Sequence, residues 1–106
     1  DGAGAYAIDT GALLNAEAFV RALPEGLALP ECAPEPDGAI SLDWIQSRQR
    51  LFTLSVGNSN RLAYAWLDGS DKGHGVARFD GVTIPARVLD EIQSIASHVN
   101  ASIRVA

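Results

Sequence analysis

The residues best suited to acid–base or metal chemistry gather in one glycine-rich turn. His74 stands between two glycines and closely follows Asp68, Asp71 and Lys72. An imidazole beside carboxylates can act as a general base, and carboxylates with a serine hydroxyl can bind a hard cation. The spacing does not match a calcium-binding loop, because Lys72 occupies a ligand position and no glutamate closes the loop. We therefore interpret this segment as a solvated turn and keep His74 as a candidate ligand contact.

The other reactive groups are scattered along the chain. Zinc needs three or four converging ligands, whereas Cys32 and His98 lie far apart in the sequence. Cys32 has no neighbouring basic residue that would activate its thiol, and His98, near the end of a predicted helix, suits the helix dipole. The sequence also contains no nucleophile elbow, phosphate-binding loop or dinucleotide fingerprint. We predict no catalytic residue, no metal site and no cofactor, and we favour a protein without enzymatic activity.

Three arginines form a second candidate site. Arg48 and Arg50 flank one predicted turn, and Arg61 follows the next turn. Together they could bind a carboxylate or a phosphate, since guanidinium groups recognise both. Pairing with surface acids such as Asp43 is the more frequent arrangement for exposed arginines.

Composition excludes several classes of protein. The chain has 106 residues, 47% of them apolar, which suits one domain with its own core, residues 1–106. A net charge of −5 opposes binding to nucleic acid, and no apolar stretch is long enough to cross a bilayer. The single cysteine favours a reducing compartment, so we expect a soluble cytoplasmic protein with no membrane contact.

Two amphipathic helices are predicted at the ends of the chain. Residues 1–9 form a loosely ordered lead-in, after which Asp9 or Thr10 caps the first helix and Pro24 ends it. Its apolar stripe comprises Leu13, Ala16, Phe19, Val20 and Leu23. Residues 24–38 are an ordered, proline-rich connection. The second helix begins near Pro85 with an apolar stripe of Val88, Leu89, Ile92, Ile95, Ala96 and Val99. Residues 101–106 either extend it or form a short strand.

Between the helices the apolar residues alternate with period two, which indicates half-buried strands. The three alternating sets are Ile40, Leu42 and Trp44; Phe52, Leu54 and Val56; Leu62, Tyr64 and Trp66. Short turns at 46–49 and 57–60 join them, and residues 74–79 form a possible fourth strand. We predict an α+β fold: an antiparallel meander of three to four strands, with both helices packed on one face.

The opposite face of this predicted sheet is rich in small residues and poor in charge. The candidate interface residues on it are Leu51, Thr53, Ala63, Ala65 and Leu67, with Ile45 and Phe79 as further apolar points. An uncovered face of this kind favours a protein partner or a second copy of the chain. We therefore predict a non-catalytic interaction module, with a homodimer as one form. The alternative is a small-molecule-binding protein or small enzyme, with a pocket between His74 and the proline-rich connection.

Several segments together resemble an uncharacterised family of short bacterial proteins. They are the opening Asp-Gly-Ala-Gly-Ala, the Leu-Pro at 23–24, Pro-Asp-Gly-Ala-Ile-Ser-Leu-Asp-Trp at 36–44, Ser-Val-Gly at 55–57, Leu-Ala-Tyr-Ala at 62–65 and Phe-Asp-Gly at 79–81. The resemblance spans most of the chain and supports the predicted helix and strand boundaries. The family has no established function, so the resemblance implies no activity, cofactor or catalytic residue.

Overall fold

A computed structural model describes the backbone of residues 7–105 and the side chains of residues 7–96. Two helices enclose five strands in chain order. The elements are α1 (Thr10–Ala22), β1 (Glu31–Pro34), β2 (Ile40–Ser47), β3 (Arg50–Val56), β4 (Arg61–Asp68), β5 (Asp71–Arg78) and α2 (Ala86–Val105). The predicted α+β class with an antiparallel meander and two helices is confirmed.

Helix α1 begins where its sequence predicts, but the side that it buries differs from the prediction. The Asp9 carboxylate accepts a hydrogen bond from the Ala12 amide at 3.1 Å, which satisfies one of the unpaired amides of the first turn. Ala12, Ala16 and Phe19 are buried, whereas Leu13, predicted to be in the core, is 42% exposed. The buried side is centred on Phe19 because its ring packs edge-on against the rings of Trp44 and Phe79.

The sheet has five strands, not three or four. Its order is β1-β2-β3-β4-β5, so every strand pairs antiparallel with its neighbour in the chain. The additional strand, β1, lies within the segment predicted to be a proline-rich connection. Pro34 is tolerated there because β1 is an edge strand, where the missing N–H does not interrupt the ladder.

Strand β5 is longer than the predicted 74–79 segment and starts at Asp71. A two-residue turn at Gly69 and Ser70 joins it to β4. Gly69 has φ +67° and no non-glycine residue in the described backbone has positive φ, which is the pattern of a type II′ turn. Gly73 and Gly75 are accommodated within β5 because the rings of Trp66 and Tyr64 lie directly over them.

The core lies between the helices and one face of the sheet. It contains the predicted alternating residues of the central strands together with Val88, Ile92 and Ile95 of α2. Phe79, predicted on the opposite face, is only 5% exposed and belongs to this core. It follows Ala77 by two residues, so its side chain points to the same, helix-covered face as that of Ala77.

Helix α2 continues to Val105, so the alternative of a terminal strand is wrong. The predicted roles of His98 and Val99 concern side chains outside the described residues. Neither α1 nor the described part of α2 is long and apolar enough to cross a membrane.

Candidate functional site

The strand register places alternate residues on the side of the sheet away from the helices, here called the open face. Three rows cross this face from one edge towards the other. They are Ile45, Leu51, Leu67 and Lys72; Glu31, Asp43, Thr53, Ala65 and His74; Ala33, Ser41, Ser55, Ala63 and Val76. All five predicted interface residues therefore lie on one continuous surface.

A strip of three large apolar residues crosses one end of the open face. Ile45, Leu51 and Leu67 are direct cross-strand neighbours on β2, β3 and β4. Ile45 is 54% exposed, and Leu51 and Leu67 are half-buried. Water around such a strip is released when a second surface covers it, which favours association.

The polar groups at the centre of the open face bond to one another. The carboxylate of Asp43 accepts hydrogen bonds from the Ser41 hydroxyl, at 2.7 Å, and from the Thr53 hydroxyl. The Ser55 hydroxyl donates to Glu35 at 3.0 Å. Because these hydroxyl donors are already used, a second surface can cover them without leaving buried donors unpaired.

Charges of opposite sign lie at opposite sides of the open face. The acidic edge comprises Glu31 on β1 and Glu35, whose backbone follows β1 and pairs with Ala39 while its carboxylate reaches Ser55 on β3. The basic edge comprises Lys72 and Arg78 on β5, with the imidazole of His74 between them. Arg61 stands directly opposite Arg78 across β4 and β5, and like charges so placed repel each other.

These edge charges have no ionic partner among the side chains of residues 7–96. The salt bridge found there joins Arg50 to Asp68 at 2.9 Å. By the alternation of side chains along β3 and β4, both residues lie on the helix-covered face. The two edges thus retain opposite charges that a second molecule can meet.

His74 does not lie at a turn with a carboxylate, as its sequence neighbours predict. It stands on β5 opposite Ala65, beyond the Gly69–Ser70 turn, and its side chain is on the open face. It borders a shallow depression whose other lining residues are Leu51, Ala65, Trp66, Leu67, Lys72 and Gly73. Within residues 7–96 no three metal-binding side chains come together.

The predicted pocket between His74 and the proline-rich connection does not form among the described residues. β5 and β1 are the two edges of the sheet, separated by four strand spacings, or about 19 Å. Of the three candidate arginines, Arg48 in the β2–β3 turn and Arg50 at the start of β3 lie at one end of the sheet, and Arg50 is paired with Asp68. Arg61 is at the opposite end of β4 from Asp68.

A groove beside α1 was not anticipated from the sequence. Leu13 and Val20 of α1 line it with Cys32 of β1 and Leu42 of β2, and the thiol of Cys32 is exposed. The exposure of Leu13 is the structural reason for the groove, and only the orientation of α1 on the sheet reveals it.

The fold and the open face together define a two-layer α+β domain with two helices on one side of a five-stranded meander. Comparison of the chain with known protein families, with curated proteins and with solved structures finds no match. The feature of the described residues that suggests a function is the open face with its apolar strip.

Proposed function

We propose that the domain is a protein-interaction module that associates with a second copy of itself through the open face. The apolar strip of Ile45, Leu51 and Leu67 carries this proposal. Three large side chains stand in register on a surface that neither α1 nor the described part of α2 covers. Burying such side chains is favourable by about 1.5–3 kcal/mol for each one that becomes fully covered.

The dimensions of the open face support this association. The five strands have four to eight residues each. With strands about 4.8 Å apart and a rise of about 3.3 Å per residue, they present roughly 550 Å² in projection. Stable protein interfaces bury about 800 Å² of accessible surface on each partner, which is of the same order. Two such faces can pack as the inner layers of a sandwich, with the sheets about 10 Å apart.

The net charge and the free thiol support a partner other than nucleic acid and a cytoplasmic location. A net charge of −5 argues against a nucleic-acid partner. An exposed, unpaired Cys32 supports a reducing, cytoplasmic location.

A lysine at Ile45 tests the proposal. Ile45→Lys places a charge in the apolar strip, and each dimer contains it twice, so we expect the dissociation constant to rise at least ten-fold, which corresponds to about 1.4 kcal/mol. The matched control is Val82→Lys, since Val82 is 76% exposed and lies in the loop before α2, outside the open face. Light scattering coupled to size-exclusion chromatography, with sedimentation equilibrium, measures the association.

The outcomes separate clearly. A dimer that Ile45→Lys dissociates and Val82→Lys leaves unchanged supports the proposal. A wild-type chain that stays monomeric at high micromolar concentration contradicts it, as does an equal effect of both substitutions.

A further inference from the structure

We propose that the two copies pack with their two-fold axis parallel to the strands and over β3, so that the acidic edge of each covers the basic edge of the other. This inference rests on the proposed self-association and adds its orientation. The unequal distribution of charge across the open face carries it, together with the off-centre position of the apolar strip.

Two flat sheets that meet face to face about a two-fold axis have two limiting arrangements. An axis parallel to the strands reverses the strand order across the interface, so β1 of one copy lies over β5 of the other. An axis perpendicular to the strands keeps the order, so β1 lies over β1 and β5 over β5. The strand order β1-β2-β3-β4-β5 makes these arrangements distinguishable, because the two edges carry opposite charges.

The parallel axis brings opposite charges together. In the register of the open face, Glu31 comes over the middle of the basic edge of the second copy, at His74, and the backbone of Glu35 comes over that of Arg78. Packed sheets are rotated by about 30°, which shifts these pairs by about 5 Å, or one to two residues, at the edges and brings other members of the same edge within reach. Complementary edges favour one orientation over others.

The perpendicular axis brings like charges together. The acidic edge would cover the acidic edge of the second copy. Because this rotation reverses the order of residues along each strand, Arg78 would cover Lys72 of the second copy. Like-charge contacts of this kind select against an orientation.

The apolar strip selects the parallel axis independently of charge. Leu51 lies on β3, beneath this axis, and therefore faces Leu51 of the second copy, while Ile45 on β2 faces Leu67 on β4. Rotation about a perpendicular axis through the centre of the face would instead move the strip over the opposite end of the face, where Ala39 precedes β2 and Arg61 begins β4. The hydrophobic contact would then be lost.

Reversal of the edge charges tests the orientation. The first variant combines Glu31→Lys with Glu35→Lys, which makes both edges basic. The second combines Lys72→Glu with Arg78→Glu, which makes both edges acidic. We expect each to raise the dissociation constant at least ten-fold at low salt, and the variant with all four substitutions to dimerise as wild type does. Urea unfolding of each variant confirms that it is folded, since all four side chains are exposed or half-buried.

Mixing the four-substitution variant with wild type decides between the axes. With the parallel axis, every edge contact in the mixed dimer joins like charges, so native mass spectrometry should show the two homodimers and few heterodimers. With the perpendicular axis, every edge contact in the mixed dimer joins opposite charges, so heterodimers should predominate.

Each result has a single meaning. Predominant heterodimers overturn the orientation while leaving the proposed self-association intact. Charge variants as dimeric as wild type, with Ile45→Lys still dissociating the dimer, likewise overturn only the orientation. A monomeric wild-type chain overturns the proposed function and this inference with it.

Discussion

Replacement of Gly75 by alanine should destabilise the domain, although alanine is ordinarily no worse than glycine in a strand. A Cβ atom at position 75 would lie 2.6 Å from the Tyr64 hydroxyl oxygen and 2.7 Å from Cζ of that ring. The ring has little freedom to move away, because Tyr64 is 4% exposed and stacks between Phe52 and Trp66 at centroid distances of 5.8 and 6.3 Å. The added methyl group therefore displaces a packed aromatic side chain.

The magnitude follows from two opposing effects. Forcing one methyl group into a filled site costs about 1–3 kcal/mol of unfolding free energy. Replacing glycine also lowers the conformational entropy of the unfolded chain, which raises the free energy of unfolding by about 0.4–1 kcal/mol. We expect Gly75→Ala to lower the free energy of unfolding by a net ~1–2 kcal/mol.

Gly57→Ala is the matched control. No atom lies within 4 Å of a Cβ at Gly57, and its φ is not positive. The same substitution there should change the free energy of unfolding by less than about 0.5 kcal/mol.

Urea unfolding followed by tryptophan fluorescence measures these free energies, and a Tyr64→Val background identifies the cause. Without the ring over β5, Gly75→Ala should become nearly neutral, which gives a coupling energy of about 1–2 kcal/mol in the double-mutant cycle. A Gly75→Ala variant as stable as Gly57→Ala, or a loss of stability that is the same in the Tyr64→Val background, would show that contact with the Tyr64 ring is not the cause.

Three further predictions concern single contacts. Trp44→Phe should lower the free energy of unfolding by about 1–3 kcal/mol, because the indole N–H of this buried residue donates to the Ala28 carbonyl at 2.8 Å; an unchanged thermal midpoint would contradict this. Asn15→Ala should speed hydrogen exchange in the β3–β4 turn, since the Asn15 amide donates to the Gly57 carbonyl at 2.9 Å and to a second carbonyl of that turn. Hydrogen-exchange protection equal to that of wild type would show that these two hydrogen bonds do not stabilise the turn. The amide of Thr83, and then that of Val82, lower the pKa of the Asp80 carboxyl from 3.8. Because this pKa is depressed in the folded state, the stabilisation is present above pH 3.8 and is lost as the pH falls through the folded-state pKa. Asp80→Ala should therefore have a lower urea midpoint than wild type at neutral pH and a smaller deficit in strong acid; a deficit independent of pH would contradict the assigned cause.

The pleat of a strand explains why much of the open face was predictable. Alternation in Phe52-Thr53-Leu54-Ser55 sends successive side chains to opposite faces, whatever the strand pairs with. Once Phe52 and Leu54 are assigned to the core, the placement of Thr53 on the other face follows. The same reasoning placed Ala63, Ala65 and Leu67 correctly from local pattern alone.

The predictions that the structure corrects concern residues whose conformation or exposure depends on a segment distant in the sequence. β1 is a strand because β2 offers it a ladder, and its own sequence, Glu-Cys-Ala-Pro, shows no alternation. Gly73 and Gly75 weaken a strand in isolation, yet Trp66 and Tyr64 fill the space above them. The exposure of Leu13 likewise depends on how α1 is rotated about its axis on the sheet.

The open face shows the same division. The local pattern of each strand was enough to predict which residues share that face, because side-chain alternation is a property of each strand alone. The pairing of the strands placed Glu31 and Glu35 along one edge and Lys72, His74 and Arg78 along the other. It likewise separated His74 from the proline-rich connection and Arg61 from Arg50. The physical reason is that the order and register of strands depend on hydrogen bonds between segments distant in the chain, and those bonds set the distances between charges.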